Sequence, residues 1–207
     1  MVIATEGDPA VFEFVGGAVC LDLVNTGSRR SAGPFRERLV DYERLLEWAE
    51  LAGAIEPEEA VALRRRARAE PARAAEVLER ARELREAVYR TFCACCQSDA
   101  PRAADLATIS RAYADASAHR ALKTGADRID FEWTSADSLD RPLWPVALSA
   151  AELLVSDQRA RVKECVSDNC NWLFLDVSKN KSRRWCEMRD CGNRAKARRH
   201  YHKTKQS

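Results

Sequence analysis

The sequence predicts a mainly α fold with small β elements, in which a mixed helical N-terminal domain is followed by a small module made of a β-hairpin and a helix. Three observations carry this reading. Apolar residues recur at three- and four-residue steps through much of the alanine-rich stretch 35–158. Charge is divided: residues 159–207 carry 14 Lys/Arg against 5 Asp/Glu, whereas residues 1–158 carry 20 against 27. Four cysteines with paired spacing lie inside the basic end. With 207 residues, 46% hydrophobic and 32% charged, the chain can bury one sizeable core beside a small module, which excludes whole-chain disorder. The expected division is 1–158 and 159–207.

The elements follow in order. Residues 11–15 form a short β-like run, broken by Gly16 and Gly17. The apolar run 20–26 fits a buried strand or a short helix, and 27–34 has loop composition. The stretch 35–52 predicts a helix with Phe35, Leu39, Tyr42, Leu45 and Ala49 inward, stopped by Gly53. Pro57, Glu58 and Glu59 open a helix to about residue 69, since proline suits the first turn and acids suit the positive end of the dipole. Pro71 restarts a long helix to about residue 97, and Asp99-Ala100-Pro101 caps another to about residue 122. Residues 128–134 alternate as a half-buried strand does, and 143–158 return to helix. In the basic end, 172–177 is a strand candidate, 178–181 a turn and 183–185 the returning strand. A last helix over 189–203 has almost no apolar face.

Cys165, Cys170, Cys186 and Cys191 read C-x4-C, a fifteen-residue gap, then C-x4-C. Four thiolates suit a tetrahedral ion, and a module this small needs such a staple. One zinc per chain is the expectation; iron in the same cage, two disulfides or four free thiols are the other readings. Cys93, Cys95, Cys96 and Cys20 read as core filling, because neighbours on a helix point apart and cysteine behaves as a small hydrophobe. The N-terminus shows neither a basic nor an apolar leader segment. The longest uncharged apolar run, 142–151, is far short of the roughly 18 residues of a membrane helix. A cytoplasmic protein without membrane contact is expected.

The basic end points to a polyanion. Arg183 and Arg184 precede the third cysteine, while Asn193, Arg194, Lys196, Arg198, Arg199 and Lys203 follow the fourth. Lysine and arginine neutralise phosphates, and arginine and asparagine also read base edges. The alternatives are a solvated helix, and bracing of the module by Asn193 and Arg194. Trp172 and Trp185 are expected over the metal-bound sulfurs rather than stacked on bases. In the N-terminal part, Asp22 and Asn25 sit in an apolar run and need partners. Either Asn25 and Thr26 fix the turn into Gly27 while Asp22 pairs with Arg29 or Arg30, or Asp22 and Asn25 line a ligand pocket closed by Trp48 and Trp144. No catalytic set is visible: the three histidines are scattered and no nucleophile or phosphate-loop motif occurs.

From Cys191-Gly192-Asn193-Arg194, together with Cys165, Cys170, Trp172-Leu173-Phe174, Asp176, Ser178, Arg183-Arg184-Trp185-Cys186 and Met188, the module resembles the CGNR zinc finger family. Residues 20–26, Leu45, Trp48-Ala49 and Gly53 resemble the ABATE domain that commonly precedes that finger. The resemblance implies a treble-clef zinc finger that binds DNA and an N-terminal domain that binds an unknown small molecule, together a stress-responsive transcription regulator. The expected function is therefore a zinc-dependent, ligand-sensing DNA-binding regulator and not an enzyme, with a homodimer kept open because one small finger covers little DNA. An RNA-binding or ribosome-associated zinc protein is the alternative, and an enzyme with its pocket in the N-terminal domain a third.

Overall fold

The computed structural model describes residues 12–28, 34–125 and 127–205. The apolar run after Gly17 is a helix, α1 (Val19–Val24), with Cys20, Leu21, Leu23 and Val24 wholly buried. Its entry is tight. A side chain on Gly16 would meet Leu21 Cβ at 2.8 Å and the Asp22 backbone at 2.9 Å, and the Gly16 N–H donates to Asp22 Oδ1 at 2.8 Å. Only glycine lets the chain pass this close.

Strands β1 (Gly27–Ser28) and β2 (Arg36–Glu37) pair antiparallel, so the expected helix over 35–52 is shortened to α2 (Tyr42–Leu51). Asp41 begins it, its carboxylate accepting from Arg44 N–H at 2.8 Å. Helix α3 (Pro57–Ala69) and the long α4 (Pro71–Gln97) start at the two prolines as expected. α4 is the spine, about 40 Å long at 1.5 Å per residue. Its stripe Val77, Leu78, Ala81, Leu84, Val88 and Phe92 is buried. Helix α5 spans Ala103–Ala118, shorter than expected at both ends: Arg102, not Asp99, precedes it, and residues after His119 enter a hairpin, β3 (Arg120–Thr124) with β4 (Ile129–Trp133). That hairpin stands out from the body, with Leu122, Ile129 and Phe131 exposed rather than half-buried. Helix α6 (Trp144–Val155) packs on α5 and α1.

The second part departs most from expectation. Strand β6 (Leu173–Leu175) pairs with β5 (Val162–Glu164), which precedes the first cysteine pair, and not with residues 183–185. β6 is buried on both faces. Leu173 and Leu175 join the helical core with Val162, while Trp172 and Phe174 face the cysteines. The alternation follows from the two-residue period of a strand, and burial of both faces explains the unbroken apolar run. The other edge of β6 is also occupied. Leu175 N–H donates to Gly16 O at 2.7 Å, and the Asn25 side-chain amide bonds Leu173 in both directions: Nδ2 to Leu173 O at 2.9 Å, and Leu173 N to Oδ1 at 3.0 Å. Asn25 thus acts as a one-residue strand.

Two buried arginines tie the helices by two-pronged bonds. Arg85 on α4 grips Glu37 at 2.6 and 2.7 Å, and Arg141 grips Glu59 at 2.8 and 2.9 Å. Cys20 is buried, but the cluster in α4 is only partly core: Cys93 packs against it, Cys95 is half-buried, and Cys96 is exposed with its thiol on Val162 O at 3.2 Å.

Asn25→Ala would leave Leu173 N–H and C=O buried and unpaired, and is expected to cost about 3 kcal/mol, read by urea unfolding. Burial raises the Asp22 carboxyl to about 6 from 3.8, against the pull of the Gly16 N–H. Stability present below pH 4 is therefore lost as pH rises toward 6, where the folded state resists ionisation. Asp22→Asn keeps the acceptor for Gly16 and removes the charge. It should be more stable than the parent by about 1–2 kcal/mol at pH 7 and no more stable below pH 4, checked by thermal melts across that range.

Candidate metal centre and the basic surface around it

The hairpin and the last helix deliver the four cysteines from two sides. Cys165 follows β5, and its N–H donates to Trp172 O at 2.8 Å, extending the ladder; Cys170 closes the turn through a bond to Ser167 O at 3.0 Å. Cys186 and Cys191 come from a loop and a wide helical turn, Met188–Gly192, that runs into α7 (Asn193–Lys205). A Cβ on Gly192 would lie 2.4 Å from Met188 Sδ, so the exposed Met188 side chain would have to shift to admit one. The loop is pinned by Asp176, which is fully buried. It accepts from Lys163 Nζ at 2.7 Å, from Ser178 Oγ at 2.6 Å and from Arg183 N–H at 3.0 Å, bonds that hold its carboxyl well below the usual range.

The four Sγ atoms are buried and lie within 4.8 Å of one another. Cys170 and Cys186 are 3.5 Å apart, Cys186 and Cys191 3.7 Å. A tetrahedral ion with metal–sulfur bonds near 2.3 Å has sulfur–sulfur edges of about 3.8 Å, so the donor set fits a single tetrahedral ion. The crowded sulfurs compete for protons, which pushes the Cys165 thiol down and the Cys170 and Cys186 thiols up. A cation bound by all four would remove that competition. Trp172 and Phe174 cover the cluster, with Trp185 against it, as expected for the tryptophans.

A family model named ABATE, described as "putative stress-induced transcription regulator", matches residues 17–157. The chain belongs to the ABATE family. A second model, the CGNR zinc finger, matches residues 161–204 and so contains the whole cysteine cluster. No curated protein matches the chain.

The residues expected at nucleic acid divide into two groups around the CGNR finger. Arg183 is a brace: its guanidinium lies 4.5 Å over the Phe174 ring, donates to Trp185 O at 2.9 Å and also bonds Cys186 O. Arg194 is another, donating to Cys191 Sγ at 3.0 Å and pairing with Asp190 at 2.7 Å. Asn193 donates to Arg189 O at 2.9 Å, which closes the turn into α7. Arg184, Lys196 and Arg198 are exposed, as are Asn193 and Arg194, but the side chains of the first three make no bond, among the described residues, to the loop of Cys186 and Cys191; Arg198 pairs with Asp168. Arg184 and Arg198 line one groove beside Trp185, of about 320 Å³. Arg199 and Lys203 lie on α7, but their side chains are outside the described residues.

The four residues expected at a ligand pocket are not brought together in that role. Asn25 is occupied by Leu173, and Asp22 by the Gly16 N–H. Thr26 donates to Leu23 O at 2.7 Å. Arg29 and Arg30, the expected partners of Asp22, lie outside the described residues. Trp48 is buried in the core of the ABATE domain. Trp144 is buried too, with its indole N–H on Asp115 at 3.0 Å and its ring stacked on His119 at 4.3 Å. Trp144 does border a cavity of about 320 Å³ between α4 and α5, with Arg73, Arg80, Arg111 and Asp140. Burial pushes the Cys20 thiol up to about 12, and partial enclosure of the Cys96 sulfur, with Glu164 near it, raises that thiol to about 11, so neither is a ready nucleophile. Sequence reasoning missed Arg38, a buried arginine beside Trp172. Its place after a loop-like segment carried no signal of burial.

Arg183→Ala and Arg194→Ala should each loosen the cysteine cage. Both variants are expected to melt lower than the parent, Arg183→Ala by about 1–3 kcal/mol for its lost bonds to buried carbonyls. Faster colorimetric release of metal to a chelator checks the same loosening.

Proposed function

We propose that this chain is a one-zinc, DNA-binding transcription regulator whose ABATE domain senses a small molecule. The observation that carries the reading is the cysteine cage itself: four buried thiols at tetrahedral spacing, with exposed Arg184, Lys196 and Arg198 standing around it. Cys165, Cys170, Cys186 and Cys191 would hold zinc with no open position, so the ion supplies folding energy and rigidity rather than a reaction centre. The family descriptions, a stress-induced transcription regulator and a CGNR zinc finger, support the same assignment. Among the described residues no helix is long and apolar enough to cross a membrane.

In this reading Arg183 and Arg194 shape the platform, while Arg184, Lys196 and Arg198 meet phosphates. Two copies on a twofold-symmetric site would supply the contact area that one finger lacks. Elemental analysis should find one zinc per chain. In salt titrations with duplex DNA, three phosphate contacts per finger give a slope of log affinity on log salt of about −2.7, and more if the distal end of α7 contributes. Arg184→Ala and Lys196→Ala should each reduce that slope by about one without lowering the melting temperature. A chain that holds no zinc, or prefers structured RNA in the same titration, would overturn the assignment.

A further inference from the structure

A cavity of about 400 Å³ opens where the ABATE domain meets the finger. One wall carries Arg38, Arg36 and Ser28; the other carries Trp172, Arg189 and Arg194. Arg38 is only 7% exposed, yet among the described residues it makes no ion pair. Its side chain reaches one acceptor, Ser28 Oγ, at 3.3 Å from Nη1, and its Nε is buried without a partner. The guanidinium lies 5.3 Å over the ring of Trp172, whose indole N–H is also buried without an acceptor.

This arrangement differs from that of the other buried arginines among the described residues. Arg85 and Arg141 each receive a carboxylate, Glu37 and Glu59, through two bonds. A buried guanidinium without such a partner is costly, and so is a buried indole N–H. Both groups are donors only, so what would satisfy them is an acceptor. Glu13, Glu187 and Asp190 also line the cavity, and Asp190 is taken by Arg194. Cys170 lines it as well, but its sulfur belongs to the metal cage. Glu13 offsets the Arg38 charge at a distance without bonding it, which leaves the acceptor sites of Glu13 and Glu187 open to donors on a bound molecule.

We propose that this junction cavity binds a small organic anion bearing hydroxyl or amino groups, its carboxylate or phosphate head held by Arg38 and Trp172. Guanidinium geometry matches either head by two parallel bonds. The cavity draws on both domains, so an occupant joins the finger to the ABATE domain and favours one relative arrangement of the two. The proposal rests on the sensing half of the function above and gives it a place and a ligand class.

The test is calorimetric titration of the zinc-loaded full chain, without DNA, using L-malate, L-glutamate and inorganic phosphate as probes and chloride at matched ionic strength as control. At least one probe should bind saturably, and the carboxylate and phosphate arms report which head is preferred. Arg38→Gln should weaken that probe roughly tenfold or more, the worth of one charge-assisted bond. Arg189→Gln, at an exposed position and so harmless to folding, should weaken it severalfold; zinc content and circular dichroism verify that both variants are folded. No binding beyond the chloride control overturns the proposal, as does binding that survives both substitutions. If duplex DNA competes with the probe and Arg38→Gln costs as much DNA affinity as Arg184→Ala, the cavity takes a DNA phosphate and the proposal falls. Because the titration contains no DNA, failure of DNA binding would leave its result standing.

Discussion

The two hydrogen bonds between the Asn25 amide and the backbone of Leu173 hold the structure's two halves in register. A strand in a small metal module would ordinarily leave one edge to solvent. Here that edge is closed by Asn25 and by the Gly16 carbonyl, both at the ends of α1. The entry to α1 therefore has to be tight, which is why Gly16 has no room for a side chain and why Asp22 turns back to bond the Gly16 N–H. Once β6 is seated, its period-two alternation puts Leu173 and Leu175 into the helical core and Trp172 and Phe174 against the cysteines.

One strand thus serves two cores, and this couples them. The metal cage has little apolar material of its own beyond the two tryptophans and Phe174. It is rigid because β6 is anchored in the ABATE domain on one side and a cation can be gripped on the other. Around the cage the basic residues do different work. Arg183 and Arg194 spend their donors on carbonyls, a sulfur and an acid, whereas Arg184 and Lys196 remain in solvent. Charge that holds a turn and charge left to solvent alternate within a few residues. Arg38 and Trp172 face each other across the same junction, so any molecule bound there touches both halves.

Much was legible without coordinates. Pro57 and Pro71 mark helix starts because the missing N–H costs nothing in a first turn. The C-x4-C pairs identify the cage because four thiolates at such spacing have few other uses in a small module. Other features were not legible. Residues 183–185 follow the turn where a returning strand is expected, but Asp176 and Lys163 capture the Arg183 backbone and β5 takes the pairing edge. Phe35 fits a helical stripe, but Arg36 and Glu37 are drawn into pairing with β1. Arg194 could be a base reader or a brace in the sequence, and its bonds to Cys191 Sγ and Asp190 become visible only in the structure.

By itself the sequence determined what local chemistry determines: the long helices, the two-part charge, the metal-ligand set and the family motifs. These depend on periodicity, on backbone donors and on short spacings, all of which are properties of neighbouring residues. The tertiary structure alone decided which strand pairs with β6, that Asn25 closes a sheet edge instead of a pocket, and that Arg38 is buried beside Trp172. The last two join residues more than a hundred positions apart. Their energies come from desolvating groups that meet only when the two cores are brought together, and no local pattern encodes that meeting.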